Sequence, residues 1–250
     1  ALVDFAHQGD FPVCWLSLDT LDRDPQRFIG YFIAALSQRF PNFGGQAKTL
    51  LGEITSFEPK QLENLVVTLV NDLFEHTREH FVVILDDYHL VDYVEEIQNF
   101  VNRFIQLVDE NCHLVISSRA LIPLPDLPLM VARQQVDGLS NLELAFRANE
   151  IQALFEKNYH TVLSKKDAQA LEKESEGWIT GLHLSNMAVQ QGATSLPRIT
   201  RTSGVGLFEY FGHQILDQQP KEMRDFLLRT SLLGEFDAAF CEDILSRFAP

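Results

Sequence analysis

Two adjacent carboxylates, Asp86 and Asp87, close the run Phe81 to His89 (FVVILDDYH), and chemistry would sit there. The five apolar residues before them, mostly β-branched or aromatic, suit a strand buried on both faces that emerges into a cleft. In open α/β sheets ligands bind beyond the carboxyl ends of the strands. An acid so placed can hold Mg²⁺ through water while its neighbour polarises an attacking water. This is the form of a Walker B strand. An Asp pair after a strand also serves as a turn or a helix cap, so the flanking sequence has to decide.

A second strand, His113 to Ser118 (HLVISS), ends at Arg119. Arg119 therefore stands at a carboxyl strand end just as the two acids do, and all three could face one cleft. A guanidinium offers several fixed donors to phosphate oxygens, which makes the trio suitable for a triphosphate and its Mg²⁺. The competing reading of Arg119 is a salt bridge to a local carboxylate.

Strands and helices must alternate to place these residues. Val13 to Leu18 (VCWLSL) reads as a strand. Asp24 and Pro25 then cap and start a helix running to about Phe40, with Phe28, Ile29, Phe32, Ile33 and Leu36 on one face. Residues 41–58 read as a loop or short helix. Pro59 restarts a helix in which Leu62, Leu65, Val66, Leu69 and Leu73 recur at helical spacing, and Val94 to Val108 repeat that pattern. Such alternation implies a parallel sheet covered on both faces.

Ala1 to His7 look like the tail of a helix ended by Gly9, and Leu129 to Val136 read as one further strand. From Leu139 the pattern becomes helical, broken at Gly177; a linker rich in Thr, Ser, Arg and Gly covers 192–206, and three short helices are expected at 207–217, 220–230 and 238–248. The expected organisation is an α/β domain over 1–138, a helical subdomain over 139–192 and a small helical domain over 193–250.

Composition narrows the function. With 46% hydrophobic residues among 250, the chain can build real cores. A net charge of −15, from 35 acids and 20 bases, argues against a basic nucleic-acid groove and against binding an anionic membrane surface. Cys14, Cys112 and Cys241 are odd in number and scattered, as buried thiols in a reducing compartment would be. With neither a membrane-length apolar run nor a signal peptide at ALVDFAHQGD, a cytoplasmic protein is expected.

In order along the chain, WLSLD at Trp15 to Asp19 with DPQRF after it, ILDDYHLV at Ile84 to Val91, ISSR at Ile116 to Arg119, LAFRANEIQALF at Leu144 to Phe155 and GWITGLHL at Gly177 to Leu184 form a series. In that series the chain resembles the nucleotide-binding core of MalT-like regulators, the STAND class of signal-transduction ATPases with LuxR-type DNA-binding ends. The resemblance implies a P-loop NTPase-type parallel sheet, a helical lid and a winged-helix-like third domain. It also implies that Asp86 and Asp87 are Walker B acids, with Asp86 holding Mg²⁺ through water, and that Arg119 is a sensor of the nucleotide phosphates. Gly177 and Trp178 would be the lid's contact with the base of ATP or ADP. Many relatives carry proline two residues after that glycine, where this chain has Ile179, and Trp178 reads as a core residue rather than a ligand contact. His89 and His213 read as structural histidines, and Glu209, Tyr210 and Phe211 as helix packing.

No G-x-x-x-x-G-K-[ST] occurs in the sequence. The resemblance implies that such a loop would precede Ala1, and that this polypeptide, lacking the loop's backbone N–H groups and lysine, binds nucleotide weakly or not at all and does not measurably hydrolyse it. The parent would be a slow ATPase switch: bound to ADP at rest and to ATP when active, self-associating on activation, sensing its inducer through a C-terminal domain and touching DNA only through a domain outside this chain. Two other classes remain open, a constitutive NTP-consuming enzyme and a decayed site that serves as a protein-interaction scaffold.

Overall fold

The computed structural model describes residues 2–190, 216, 219–231, 237 and 238. The chain divides into two compact units, residues 1–137 and 138–250. In the first, the helices are α1 (Leu2–Gln8), α2 (Pro25–Arg39), α3 (Gly45–Glu53), α4 (Pro59–His76), α5 (Glu95–Leu107) and α6 (Leu127–Ala132). Its strands are β1 (Val13–Ser17), β2 (Phe81–Asp86) and β3 (Cys112–Ile116).

The helix boundaries follow from local chemistry. Asp24 accepts the Arg27 N–H at 2.7 Å, and Pro25 opens α2 where a missing N–H costs nothing. Pro59 opens α4 in the same way. The stripes expected from spacing are the buried ones: Phe28, Ile29, Phe32, Ile33 and Leu36 of α2, Leu62, Leu65, Val66, Leu69 and Leu73 of α4, and Ile97, Phe100, Val101 and Phe104 of α5. Phe32 meets Phe100 and Phe104 edge-on with centroids 5.3 and 5.0 Å away. Burying each such ring contributes about 1.5–3 kcal/mol.

All strand pairs are parallel, in the order β1-β2-β3, so β2 is central. Side chains alternate across the sheet. Phe81, Val83 and Leu85 of β2 with Cys14 of β1 join the large core under α2, α3, α4 and α5. Val82 and Ile84 with Val13 face the other way, where Leu2 and Ala6 of α1 and the side chains of Phe11 and Trp15 cover them. Both faces are covered, as the continuous apolar run of β2 requires.

One sequence expectation fails here. Leu129 to Val136 form no strand: α6 and an irregular segment occupy the stretch. Pro128 fits the first turn of a helix and could not donate within a ladder. Only Met130 is buried there, while Leu129 and Val131 are exposed, so the stretch lacks the apolar face that a strand would press on a core.

The second unit contains α7 (Asn141–Leu144), α8 (Ala148–Tyr159), α9 (Lys165–Ser175) and α10 (Ile179–Gln190). Among the described residues, Ile151, Phe155, Leu163, Leu171 and Leu182 form a core there. Glu176 and Gly177 both adopt left-handed backbone and turn the chain from α9 into α10. Glycine is demanded at 177, because a Cβ would lie 2.6 Å from Phe146 N and 2.7 Å from Phe146 O. The helix Lys221–Thr230 matches the expected helix at 220–230. Apart from the single residues 216 and 238, the expected helices at 207–217 and 238–248 lie outside the described residues, as do the linker 192–206 and the readings of Cys241, His213, Glu209, Tyr210 and Phe211.

Candidate functional site

Register brings the carboxyl ends of the three strands level. Ser17 of β1 pairs with Asp86 of β2, and Leu85 pairs with Ile116 of β3. Beyond the strands the ladder continues: Leu18 N–H donates to Asp86 O at 3.0 Å, Ser117 N–H to Leu85 O at 2.9 Å and Tyr88 N–H to Ser117 O at 2.9 Å. The two acids then diverge. Asp86 ends the strand half-buried, whereas Asp87 takes left-handed backbone (φ 60°, ψ 37°) and is exposed. Asp tolerates that conformation better than most residues, so the turn is compatible with the motif.

Ser117 ties the pair to the neighbouring strand. Its hydroxyl donates to Asp86 Oδ1 and accepts the Asp87 N–H at 3.1 Å. Among the described residues, Asp86 Oδ2 carries no hydrogen bond. The structure thus brings together Asp86, Asp87 and Ser117. Arg119 follows two residues later, exposed, and among the described residues it makes no hydrogen bond and no ion pair. The local salt bridge considered for it is therefore not made there, and no contact joins it to either acid.

Behind the acids lies a less polar shell. Tyr88 is fully buried, its Oη without a partner among the described residues, and burial pushes its phenol upward, with Asp92 adding to the shift. His89 Nδ1 is also buried without a hydrogen bond, 3.9 Å from Asp87 Oδ1. Burial raises the Asp92 carboxyl, and the nearby His89 partly offsets this.

The WLSLD and DPQRF stretches prove to be scaffolding. Asp19 Oδ1 accepts the Leu21 N–H at 2.6 Å and Asp22 Oδ2 accepts the Asp19 N–H at 2.9 Å, a capping box over a 3-10 turn at Thr20–Arg23. Arg27 Nε donates to Asp22 Oδ1 at 2.8 Å, a bond that raises the guanidinium further. Arg23 Nε reaches Leu90 O at 3.1 Å, linking the turn after β1 to the turn after β2. Asp22 is 3% exposed, and sequence reasoning passed it over although its spacing from Asp19 is the capping signal. Ser117 was passed over too; its place at a strand end, two residues before Arg119, was the available clue.

Gly177 and Trp178 belong to the second unit. Gly177 is buried at the turn described above, and Phe146 N–H donates to its carbonyl at 3.0 Å. Trp178 is 38% exposed, so the core placement considered for it does not hold. The turn at Glu176 and Gly177 fixes where α10 begins and leaves the indole at its start.

The donors at the strand ends are carboxylate and hydroxyl oxygens, a hard set that suits Mg²⁺ rather than a soft transition metal. Among the described residues no group of three or more His, Cys, Asp or Glu could hold a metal ion by itself. Asp86 Oδ2 and Asp87 are the carboxylate oxygens there that a hydrated hard cation could meet. Among the described residues no helix is long and apolar enough to cross a membrane.

Comparison with known proteins adds what geometry alone does not supply. The MalT winged helix domain family matches residues 212–248, which fits the winged-helix-like character expected of the third domain. The HTH-type transcriptional regulator MalT of Yersinia enterocolitica is 32% identical over 231 residues, covering 90% of this chain and 25% of that protein. MalT of Serratia proteamaculans is 32% identical over 240 residues, 92% of this chain and 25% of its own length. MalT of Vibrio cholerae is 27% identical over 237 residues, 93% of this chain and 26% of its own length. The chain spans about a quarter of the length of these relatives.

Proposed function

We propose that this chain, MalT-like over nine-tenths of its length, is the nucleotide-responsive switch core of a transcriptional regulator, with a P-loop NTPase-type sheet of the STAND class. The observation that carries the reading is the set of groups at the carboxyl strand ends: Asp86 and Asp87 on central β2, with Asp86 fixed through Ser117, and the exposed Arg119 after β3, which is unpaired among the described residues. Asp86 and Asp87 would face the Mg²⁺ that accompanies a nucleotide, and Arg119 its phosphates. Mg²⁺ supplies neutralisation of phosphate charge; the chain's own residues orient and select.

In this reading the regulator holds ADP at rest and ATP when active, and differential phosphate contacts bias two arrangements of its domains. Self-association follows activation. The inducer is sensed, and DNA is read, by parts of the regulator other than this acidic core, whose net charge of −15 is unsuited to a DNA groove. Gly177 and Trp178 would contribute at the base, where an exposed indole can stack.

Calorimetry with ADP and with ATP plus Mg²⁺ tests the proposal, on the protein encoded by the complete reading frame beside its Asp86→Ala and Arg119→Ala variants. Tight binding, weakened at least tenfold in each variant, is the expected result, about 1.4 kcal/mol or more per site. No binding by the unaltered protein would instead leave a protein-interaction scaffold.

A further inference from the structure

Ser117 holds Asp86 in a way that matters for which cation the site accepts. Its backbone is fixed from both sides, N–H to Leu85 O and O to Tyr88 N–H, each at 2.9 Å. Its hydroxyl accepts the Asp87 N–H at 3.1 Å, which leaves its proton for Asp86 Oδ1. One lone pair of Asp86 Oδ1 is thereby engaged by the protein, while Oδ2 carries no hydrogen bond among the described residues.

The two common cellular hard cations differ on this point. Mg²⁺ demands a small octahedron, keeps waters and takes one oxygen from a carboxylate, whereas Ca²⁺ takes six to eight oxygens and readily accepts both oxygens of one carboxylate. We infer that Ser117 is a specificity-determining residue: by engaging Oδ1 it weakens that oxygen as a second ligand, favours one-oxygen contact of Asp86, and so disfavours Ca²⁺ relative to Mg²⁺ at the cation accompanying the nucleotide. This rests on the nucleotide reading proposed above. It requires no movement of the backbone, because Ser117 is held by main-chain bonds on both sides.

The test compares the affinity of the complete protein for ADP in Mg²⁺ and in Ca²⁺, by calorimetry, across the unaltered protein, Ser117→Ala, Ser117→Cys and Ser117→Thr. Ser117→Ala frees Oδ1, and the preference for Mg²⁺ over Ca²⁺ is expected to fall about tenfold or more, the order of a lost hydrogen bond to a charged group. Ser117→Cys, with a weaker donor of similar shape, falls in the same direction, and Ser117→Thr, which keeps the hydroxyl, retains the preference. Circular dichroism confirms folding in each case, and the cysteine variant carries the test if the alanine variant does not fold. Nucleotide binding with an unchanged cation preference in Ser117→Ala and Ser117→Cys would overturn this inference and leave the nucleotide reading standing. No nucleotide binding by the unaltered protein would overturn both.

Discussion

Arg103 on α5 grips Glu63 on α4 with two parallel bonds, Nε to Oε2 and Nη2 to Oε1, each 2.6 Å long. The pair joins two helices that pack on the same face of the sheet, and Arg103 Nη1 also reaches Gln106 Oε1. The hydrogen bonds from Arg103 hold the Glu63 carboxyl below the usual carboxylate range. A group depressed in the folded state adds stability above its unfolded pKa, near 4.3 for Glu, and that stability is lost as pH falls through the lower folded value. Denaturant unfolding at pH 7 and pH 4 should show the acid loss of stability reduced in Arg103→Ala. Both side chains are more than a third exposed, so the change at pH 7 should be small.

Phe32 touches three other rings, Phe28, Phe100 and Phe104, at the junction of α2 and α5. Truncation to alanine removes those contacts and leaves a cavity, a loss of about 3–5 kcal/mol. Phe74, on α4 but 51% exposed, should cost less than about 1 kcal/mol. Urea midpoints of Phe32→Ala and Phe74→Ala check the contrast; similar losses would mean that the core is centred elsewhere.

The elements around the acids were legible because their signals are redundant. The stripes of α2, α4 and α5 and the five-residue run of β2 agree with caps, prolines and length, and all point to the same core. Leu129 to Val136 were misread because a short apolar stretch is compatible with either element, and Asp126, bonded to Asn102 across 24 residues, helps to settle it. That bond depends on tertiary contact and leaves no local pattern. Asp86, Asp87 and Arg119 could be nominated from residue type and strand position. Which oxygen of Asp86 is engaged, and by Ser117, depends on β2–β3 register and so had to come from the structure.

Burial pushes the Cys14 thiol up to about 11 and, with Cys14 nearby, the Cys112 thiol up to about 12. An unfolded thiol ionises near 8.5, so the folded state is favoured below that pH and loses the advantage as pH rises toward 11 and beyond. Urea midpoints at pH 8 and pH 10.5 should therefore fall more steeply in the unaltered protein than in a Cys14→Ala, Cys112→Ala double variant. Equal slopes would mean that these thiols are more accessible to solvent than their positions on β1 and β3 imply.

Gly177 carries a sharper prediction, because what a side chain would meet there is backbone. At φ +73° an added Cβ falls 2.6 Å from Phe146 N and 2.7 Å from Phe146 O, and Phe146 N–H is the donor to the Gly177 carbonyl. Neither atom can swing aside as the end of a long side chain can. Gly177→Ala therefore adds a steric clash to the left-handed strain of about 1–2 kcal/mol and should break the Phe146 bond. Gly52, on α3 with open space around it, is the matched control: Gly52→Ala should be neutral or stabilising by up to about 1 kcal/mol. Hydrogen exchange resolves the consequence by region. Faster exchange in Gly177→Ala over 145–182, with protection of 81–86 and 112–116 unchanged, is expected if the turn stabilises the second unit by itself. Protection lost equally across β2 and β3 would show instead that the two units unfold as one.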